Sequence, residues 1–408
     1  MKKLHDHVYR MIFSIFIITF QALPLFGQSC EIIKVSSLFG NNSILNLDPQ
    51  ISGGNVVWAG SDGMETHIYL YDGNSIVQVS SLFGNTSTAN TSPEISNGHI
   101  VWSGMLMGDQ HIFLYNGIDI FPVSMMGPDV SGNSFQPQIS GSNIVWTGFA
   151  DADFHIFYYD GVQVTRISTT STNNGSPQIS NNRIVWQGSQ GGTEHVFLYD
   201  GITATQISNT TTGNVQPQIF GDYIVWSGIN LGEQHIFRYD GNTIEQISTT
   251  RTANTGQQLF ENQVVWSGTL GGEQHIFLYD GTEVVQISEL STSNLMPQIW
   301  GSNVVWSGVQ DASNAILLYN GAEVSIISNQ DGNDSMQNLN PQIQGPNVVW
   351  RGFDGETIHV YLGRNCAPAP TIPIPSLSLW GLIILVLLLT IAGIIECRRF
   401  QGQRFEII

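Results

Sequence analysis

The sequence predicts an all-β fold built from one repeated unit, and two observations lead to this prediction. Eight tryptophans are spaced 44, 44, 40, 40, 40, 40 and 44 residues apart, and a glycine follows each of them two positions later. A period of 40 to 44 residues is the length of one propeller blade. Each period also contains four short β-rich runs separated by turn residues. We therefore expect an eight-bladed β-propeller of four-stranded blades. The repeated tryptophans are Trp58, Trp102, Trp146, Trp186, Trp226, Trp266, Trp306 and Trp350.

The fifth unit shows how one period divides into strands. Its four β-rich runs lie at 217–219, 224–228, 235–239 and 244–248. The pair Gly221-Asp222 separates the first two runs, and Asp240-Gly241 separates the last two. Asp-Gly pairs suit tight hairpins, because these turns require a positive φ that glycine adopts without strain. The remaining units have the same order, so we number them 1 to 8 by their tryptophans.

The N-terminal segment is typical of a secretory signal peptide. Lys2, Lys3 and Arg10 precede an apolar run at 11–20, and small residues follow near Gly27 and Ser29. This order of basic, apolar and small residues marks a segment that directs export and is then removed. We therefore expect residues 1–29 to be a signal peptide. A membrane anchor is the alternative.

The C-terminal segment carries a second targeting signal. Residues 377–395 form an uncharged segment that is long enough for a transmembrane helix. Arg398, Arg399 and Arg404 follow, so the positive-inside rule places the tail in the cytoplasm. The sequence I-P-S-L-S-L-W-G precedes and enters the helix, and its defining residues are Ile374, Pro375, Ser376, Leu377, Trp380 and Gly381.

This motif, followed by a helix and an arginine pair, resembles the IPTL-CTERM sorting signal of bacterial surface proteins. The resemblance implies an exosortase-type sorting protease as a partner, removal of the helix, and transfer from the inner membrane to the cell envelope or surface. A permanent single-pass anchor is the alternative. The chain would then consist of a signal peptide (1–29), a propeller (30–366), a Pro-rich linker (367–375), the sorting motif with its transmembrane helix (376–397) and a basic cytoplasmic tail (398–408).

The repeat itself resembles that of TolB-like β-propellers, in which P-x-I-S, an I-V-W strand and I-Y-L-Y-D recur. The resemblance covers residues 31–362. It implies the propeller fold and leaves function open, since propellers host many functions.

The ends of the repeat region predict how the ring closes. Unit 8 has only three β-rich runs, whereas residues 31–37 match 75–81, which form a fourth run in unit 1. The N-terminal strand should therefore complete unit 8 and remove an exposed sheet edge. Cys30 and Cys366 both align with Asn74, so in an exported protein we expect them to form a disulfide. Closing this loop would contribute roughly 5 kcal/mol in the chain-entropy model.

Composition excludes several classes of protein. The chain has 32 acidic and 13 basic residues, a net charge of −19, and therefore lacks the basic surface that nucleic-acid binding needs. Its apolar content of 41% excludes a disordered chain. Three cysteines are too few for a disulfide scaffold or a Cys-rich metal module. We expect a monomer that binds no nucleic acid.

Histidine forms the most regular polar pattern, because it opens the third strand in seven units. A ring of imidazoles suggests metal binding. However, equivalent third-strand residues in successive blades lie too far apart to share one ion, so we interpret these histidines and the tryptophans as structural. The histidines are His67, His111, His155, His195, His235, His275 and His359.

The sequence contains no catalytic motif and requires no cofactor. G-x-S-x-G, H-E-x-x-H and phosphate-binding loops are all absent. A calcium site is conceivable at 331–334, or at Asp151 and Asp153, because carboxylate oxygens suit a hard cation. We expect function to lie in polar loops on one face, with Phe83, Phe135 and Met296 as candidate contacts. These loops are predicted at 82–92, 125–136, 169–176, 209–216, 249–256, 289–296 and 329–340.

The leading hypothesis is therefore a non-catalytic surface module that binds an unidentified surface protein or glycan. Two alternatives stay open. One is a secreted polysaccharide-acting hydrolase or lyase on a propeller scaffold, which should show non-repeated acids or histidines near the axis. The other is a structural surface or matrix protein.

Overall fold

The computed structural model describes residues 30–127, 133–208, 212–248, 253–288, 291–329 and 332–367. The predicted signal peptide, sorting motif, transmembrane helix and tail lie outside these residues, as does most of the linker. Within the described ranges, no helix has the length and apolar character needed to cross a membrane.

Thirty-two strands and three short 3-10 helices make up the described secondary structure. The N-terminal strand is β1 (Glu31–Lys34). The first strands of units 1 to 8 are β2 (Leu45–Ser52), β6 (Thr88–Ser96), β10 (Ser134–Ser140), β14 (Thr172–Ser180), β18 (Thr212–Phe220), β22 (Thr255–Phe260), β26 (Thr292–Trp300) and β30 (Gln337–Gln344). The second strands are β3 (Asn55–Ser61), β7 (His99–Leu106), β11 (Asn143–Ala150), β15 (Arg183–Gln190), β19 (Tyr223–Asn230), β23 (Gln263–Leu270), β27 (Asn303–Gln310) and β31 (Asn347–Phe353).

The third strands have six or seven residues, and the fourth strands of units 1 to 7 have three. The third strands are β4 (Thr66–Tyr71), β8 (Asp109–Tyr115), β12 (Asp153–Tyr159), β16 (Thr193–Tyr199), β20 (Glu233–Tyr239), β24 (Glu273–Tyr279), β28 (Ser313–Tyr319) and β32 (Ile358–Arg364). The fourth strands of units 1 to 7 are β5 (Ile76–Gln78), β9 (Ile120–Pro122), β13 (Val164–Arg166), β17 (Ala204–Gln206), β21 (Ile244–Gln246), β25 (Val284–Gln286) and β29 (Val324–Ile326). The 3-10 helices are Val35–Ser37, Val79–Gly84 and Val123–Met125.

The first strands begin earlier than the sequence predicted. In unit 5 the strand begins at Thr212, although residues 209–216 were expected to form a loop. The reason is a pair of register shifts in β18, between Thr212 and Val215 and between Val215 and Gln218. Such bulges break the two-residue alternation that identifies a strand in sequence. Much of what was predicted to be polar loop is therefore strand.

The strands form antiparallel sheets that follow the repeat. Units 2 to 7 each form a four-stranded sheet, whereas units 1 and 8 share an eight-stranded sheet in which one residue pair, Leu45 with Ile358, joins β2 to β32. The prediction that the N-terminal strand completes unit 8 is confirmed, because β1 pairs with β32 from Glu31 opposite Arg364 to Lys34 opposite Tyr361.

The predicted disulfide is also present and lies beside this pairing. Cys30 is bonded to Cys366 across a sequence separation of 336 residues. It joins the residue before β1 to a residue just after β32. The two ends of the repeat region are thus held together both covalently and by backbone hydrogen bonds.

The hydrophobic core lies between successive units. Val57 and Ile68 of unit 1, for example, pack with Ile100 and Trp102 of unit 2. The same contact joins the two ends of the chain, since residues of unit 8 pack with Trp58 of unit 1. All eight repeated tryptophans are at most 1% exposed. Burying an indole removes a large apolar surface from water, so these residues hold neighbouring units together.

The antiparallel order divides the connections between two faces. Turns that join first to second strands and third to fourth strands lie on one face, which we call the turn face. Turns that join second to third strands, together with the connectors between units, lie on the opposite hairpin face. The predicted Asp-Gly turns belong to the turn face. In one of them Gly161 has a φ of +94°, and the Asp160 carboxylate accepts the backbone N–H groups of Val162 and Gln163.

Candidate functional site

A buried asparagine accompanies the tryptophan in seven units and links that unit to its predecessor. Its side-chain oxygen accepts the indole N–H at 2.8–3.0 Å, and its side-chain nitrogen donates to a backbone carbonyl of the preceding unit at 2.8–3.2 Å. The sequence signal was an asparagine 12 residues before seven of the eight tryptophans, and six of these asparagines lie in segments that the sequence predicted to be loops. These residues are Asn46, Asn90, Asn174, Asn214, Asn254, Asn294 and Asn338.

In four units the glycine two residues after the tryptophan makes room for this asparagine. A Cβ atom on Gly104 would lie 2.5 Å from the Asn90 side-chain oxygen, and one on Gly308 would lie 2.6 Å from that of Asn294. Real Cβ atoms do not approach other heavy atoms so closely. The Trp-x-Gly motif is therefore a packing requirement of the link between units.

The repeated histidines lie opposite this glycine on the third strand, as in the pair Gly104 and His111. In six units the Nδ1 atom of the histidine shares a hydrogen bond of 3.0–3.5 Å with the hydroxyl of a serine that lies two residues after the fourth strand. His67 differs, because its buried Nδ1 has no hydrogen-bond partner within the described chain. Each histidine thus belongs to its own unit, and no set of three or more metal-ligating side chains converges among the described residues.

Unit 8 contains an arrangement that superficially resembles a catalytic triad. The Nε2 atom of His359 is 3.0 Å from a carboxylate oxygen of Asp354, and its Nδ1 atom is 3.0 Å from the Ser36 hydroxyl oxygen. However, Ser36 is only 4% exposed, and its hydroxyl accepts the backbone N–H of Val360 at 3.0 Å. A nucleophile needs access to substrate. Since the same serine–histidine pair recurs in five other units, this arrangement is a feature of the repeat.

The acids beside this histidine help to hold the N-terminal strand. Lys34 of β1 donates to the carboxylates of Asp334 and Asp354 at 3.0 and 2.9 Å. Hydrogen bonds from the backbone N–H of Thr357 and from Lys34 lower the pKa of Asp354 well below its usual range. The pKa of Asp334 is also lowered, chiefly by the hydrogen bond that the Tyr361 hydroxyl donates to it.

The candidate calcium ligands are engaged by the protein itself. Asp334 binds Lys34, and Asp151 pairs with Arg166 at 2.7 Å. The Asp153 carboxylate accepts the backbone N–H groups of Phe154 and Asn173. Asp331, also part of this prediction, lies outside the described residues. A calcium ion would have to displace these partners.

A cavity of about 500 Å³ lies between the first strands, and sequence reasoning did not identify it. Most units contribute the three residues around x-Pro-Gln, so the lining consists of proline rings, carboxamides and small polar groups. The residue before the proline position has a φ between 50° and 65° in every unit, which marks a bulge at this point of each strand. The lining carboxamide position is occupied by Gln50, Glu94, Gln138, Gln178, Gln218, Gln258 and Gln342.

One position of this ring carries a carboxyl group. Glu94 in unit 2 accepts hydrogen bonds from Gln50 and Gln138 of the neighbouring units at 3.2 and 3.3 Å. Burial raises the pKa of Glu94 to about 8, and the nearby Asp48 adds to the effect. At neutral pH the group is therefore largely protonated and uncharged. Asp48 and Glu94 are the two acidic residues among those that line this cavity.

The hairpin face exposes apolar side chains that do not repeat. Met64, Met107 and Leu231, at the tips of second-to-third-strand turns, are 90–98% exposed. In unit 3, Phe149 and Phe154 contact edge to face at 5.3 Å, and Phe135 joins them, with its ring centre 5.5 Å from that of Phe154. The tips vary more than the buried residues do: units 3 and 7 carry Asp-Ala, units 4 and 6 carry Gly-Gly, and the exposed apolar tips belong to units 1, 2 and 5.

The three residues that the sequence suggested as partner contacts, Phe83, Phe135 and Met296, lie in three different environments. Phe83 is 61% exposed, and its ring stacks on that of Tyr115 at 6.4 Å. Phe135 belongs to the aromatic cluster of unit 3. Met296 is 45% exposed and precedes the first-strand proline of unit 7, the position whose equivalents in other units line the cavity.

No protein-family model and no curated protein matches the sequence. Among solved structures, the chain is similar to the computationally designed Ika8 protein, with 14% identity and a TM-score of 0.56 over 79% of this chain and 98% of that one. It is also similar to the β-propeller domain of the Trilobed protease from Pyrococcus furiosus, with 14% identity and a TM-score of 0.50 over 72% of this chain and 99% of that domain.

A third similar structure is a puromycin-hydrolyzing peptidase from Mycobacterium tuberculosis, with 11% identity and a TM-score of 0.50 over 81% of this chain. This chain spans only 61% of that peptidase. Likeness at such identities defines the fold and nothing further. The fold of this chain is that of a β-propeller.

Proposed function

We propose that this chain is an exported, eight-bladed, non-catalytic propeller that binds a partner protein through its hairpin face. The observation that carries the proposal is the group of exposed, non-repeated apolar side chains on this face, which comprises Met64, Met107, Leu231 and the aromatic cluster of unit 3. The turn face also exposes aliphatic side chains, namely Ile118, Val162 and Ile202, but no exposed aromatic cluster is found there among the described residues. Exposed apolar groups of this kind on a rigid scaffold are typical of protein interaction sites, and methionine adapts to varied partners.

The blade number rests on the repeat and on the packing. Each of the eight tryptophans lies in its own set of four strands, with β1 completing the last set. Unit 8 packs on unit 1, as each other unit packs on the next. The single residue pair that joins units 1 and 8 into one sheet does not alter this division.

A site-specific crosslink tests the binding face. A photoreactive amino acid at Met107 or Leu231, in the full chain produced in its host cells, should yield one discrete protein adduct. The matched control is Ile202, which is 85% exposed on the turn face and should yield none. The double variant Phe149→Ser and Phe154→Ser should weaken the adduct if the aromatic cluster shares the contact. Equal labelling from both faces, or no adduct from the hairpin face, would contradict the proposal.

Export and sorting form the second part of this proposal. A disulfide between Cys30 and Cys366 suits an oxidising compartment outside the cytoplasm. We propose that residues 1–29 are removed on export and that an exosortase-type protease recognises the motif at 374–381. The backbone N–H of Ala367, the last described residue, donates to the carbonyl of Pro346, so the described chain ends on the turn face.

Mass spectrometry of the surface-held protein tests the sorting step. Peptides beyond Trp380 should be missing from that fraction. Substituting Pro375 and Trp380 with alanine should retain the C-terminal peptides and keep the protein in the membrane fraction. An intact C-terminus in the wild-type surface protein would instead indicate a permanent single-pass anchor.

A further inference from the structure

We propose that the cavity between the first strands binds an uncharged polyhydroxyl ligand, the chemical class of a small sugar or the end of an oligosaccharide. This site is separate from the hairpin face, so the proposal stands independently of the protein-binding function. The cavity volume of about 500 Å³ falls within the range of small-molecule sites.

Unused hydrogen-bonding groups line the cavity. Within the described chain, no group bonds to the side chains of Gln178, Gln218, Gln258 or Gln342, although all four are only partly exposed. The side-chain oxygen of Asn340 is buried and likewise has no partner there. The four glutamine side chains are partly exposed and unpaired, so they are available to a ligand, whereas the Asn340 oxygen is too deeply buried to contact one.

The chemistry of the free groups selects the ligand class. A carboxamide offers two N–H donors and one acceptor oxygen, whereas a sugar hydroxyl both donates and accepts. A ring of carboxamides can therefore satisfy several neighbouring hydroxyls at once. The prolines beside these carboxamides also line the cavity but are themselves buried, so the polar side chains carry the recognition; they are Pro49, Pro93, Pro137, Pro177 and Pro217.

Charge argues against an ionic ligand. No lysine, arginine or histidine lines the cavity, so an anion would find no cationic partner. Of the two lining acids, Glu94 is largely uncharged at neutral pH and Asp48 is exposed. When protonated, Glu94 can donate its own hydrogen bond to a ligand oxygen. The lining is thus close to neutral and rich in both donors and acceptors.

Isothermal titration calorimetry with defined probes tests this site. The probes are maltohexaose, cellohexaose and chitohexaose as uncharged oligosaccharides, oligogalacturonate as a charged one, and a neutral Gly-Ser hexapeptide. We expect at least one uncharged oligosaccharide to bind, and the charged one and the peptide to bind more weakly. The double variant Gln178→Leu and Gln218→Leu should weaken that binding about tenfold or more, which corresponds to the loss of about 1.4 kcal/mol.

Two further variants keep the test decisive. Gln163→Leu makes the same chemical change on an exposed turn and should bind like the wild type. If the double variant does not fold, Glu94→Gln serves in its place, because it replaces the carboxyl group of the ring with a carboxamide. This variant should bind the oligosaccharide equally well at pH 7 and at pH 9. The wild type should bind less tightly at pH 9. The proposal is overturned if no uncharged oligosaccharide binds, if the peptide binds best, or if binding ignores the cavity variants.

Discussion

Replacing Asn294 with alanine tests the link between units. The Asn294 side chain accepts the indole N–H of Trp306 at 2.8 Å and donates to the backbone carbonyl of Gln274 in unit 6 at 2.9 Å. The residue is fully buried, so water cannot replace these bonds. Alanine would leave the Trp306 indole N–H and the Gln274 carbonyl unpaired, each at a cost of about 1–3 kcal/mol, and would also remove the bonds between Asn294 and the hydroxyl and carbonyl of Ser291. We expect the free energy of unfolding to fall by about 2–6 kcal/mol.

Guanidinium denaturation, followed by tryptophan fluorescence and far-ultraviolet circular dichroism, measures this change. The control is Asn242→Ala, because Asn242 is an exposed turn residue whose side chain makes no hydrogen bond in the described chain. That control should stay within about 0.5 kcal/mol of the wild type. A loss for Asn294→Ala of less than about 1 kcal/mol would refute the claim that this asparagine joins neighbouring units.

Three further predictions concern the cavity, the repeat and the closure. Burial raises the pKa of Glu94 from 4.5 to about 8, so its folded form retains a proton that the unfolded chain releases. The stability that protonated Glu94 contributes at low pH should be lost as pH rises through 8. In a profile of thermal unfolding temperature against pH, Glu94→Gln should flatten this decline. Identical profiles for the wild type and the variant would contradict the assignment. Gly308→Ala places a Cβ 2.6 Å from an amide oxygen and should cost about 1–3 kcal/mol in denaturation, whereas Gly175→Ala, whose nearest neighbour is 3.8 Å away, should cost little. Replacing Cys30 and Cys366 with serine should lower the free energy of unfolding by up to about 5 kcal/mol. A reductant should then have no effect on unfolding. If the variant still responds to reductant, the disulfide assignment is wrong.

The order of strands and the closure of the chain could be predicted from sequence. Residues 31–37 match the fourth run of unit 1, and unit 8 lacks such a run, so the pairing of β1 with β32 followed from comparing repeats. The disulfide between Cys30 and Cys366 followed in the same way. Repeats make this possible because each unit must bury the same faces against its neighbours.

The N-terminal half of each first strand could not be recognised as a strand from the sequence. Residues such as Asn214 and Val215 lie between two bulges, where side chains no longer alternate regularly between faces. The stretch is also polar, which is typical of loops in a sequence taken alone. Only the packed structure shows that Asn214 is buried and bonds to Trp226.

The sequence by itself determined the propeller fold, the number of repeats and the residues that define each unit. It did not determine which repeated residues meet one another. We interpreted the repeated histidines and tryptophans as structural, which agrees with the bond of His111 to Ser124 within its own unit. Gln178 and Gln218 repeat just as regularly, yet they line one cavity. The difference is distance from the axis: equivalent residues on the innermost strands converge on a common space, whereas those on outer strands diverge. That distance is a property of the assembled ring alone.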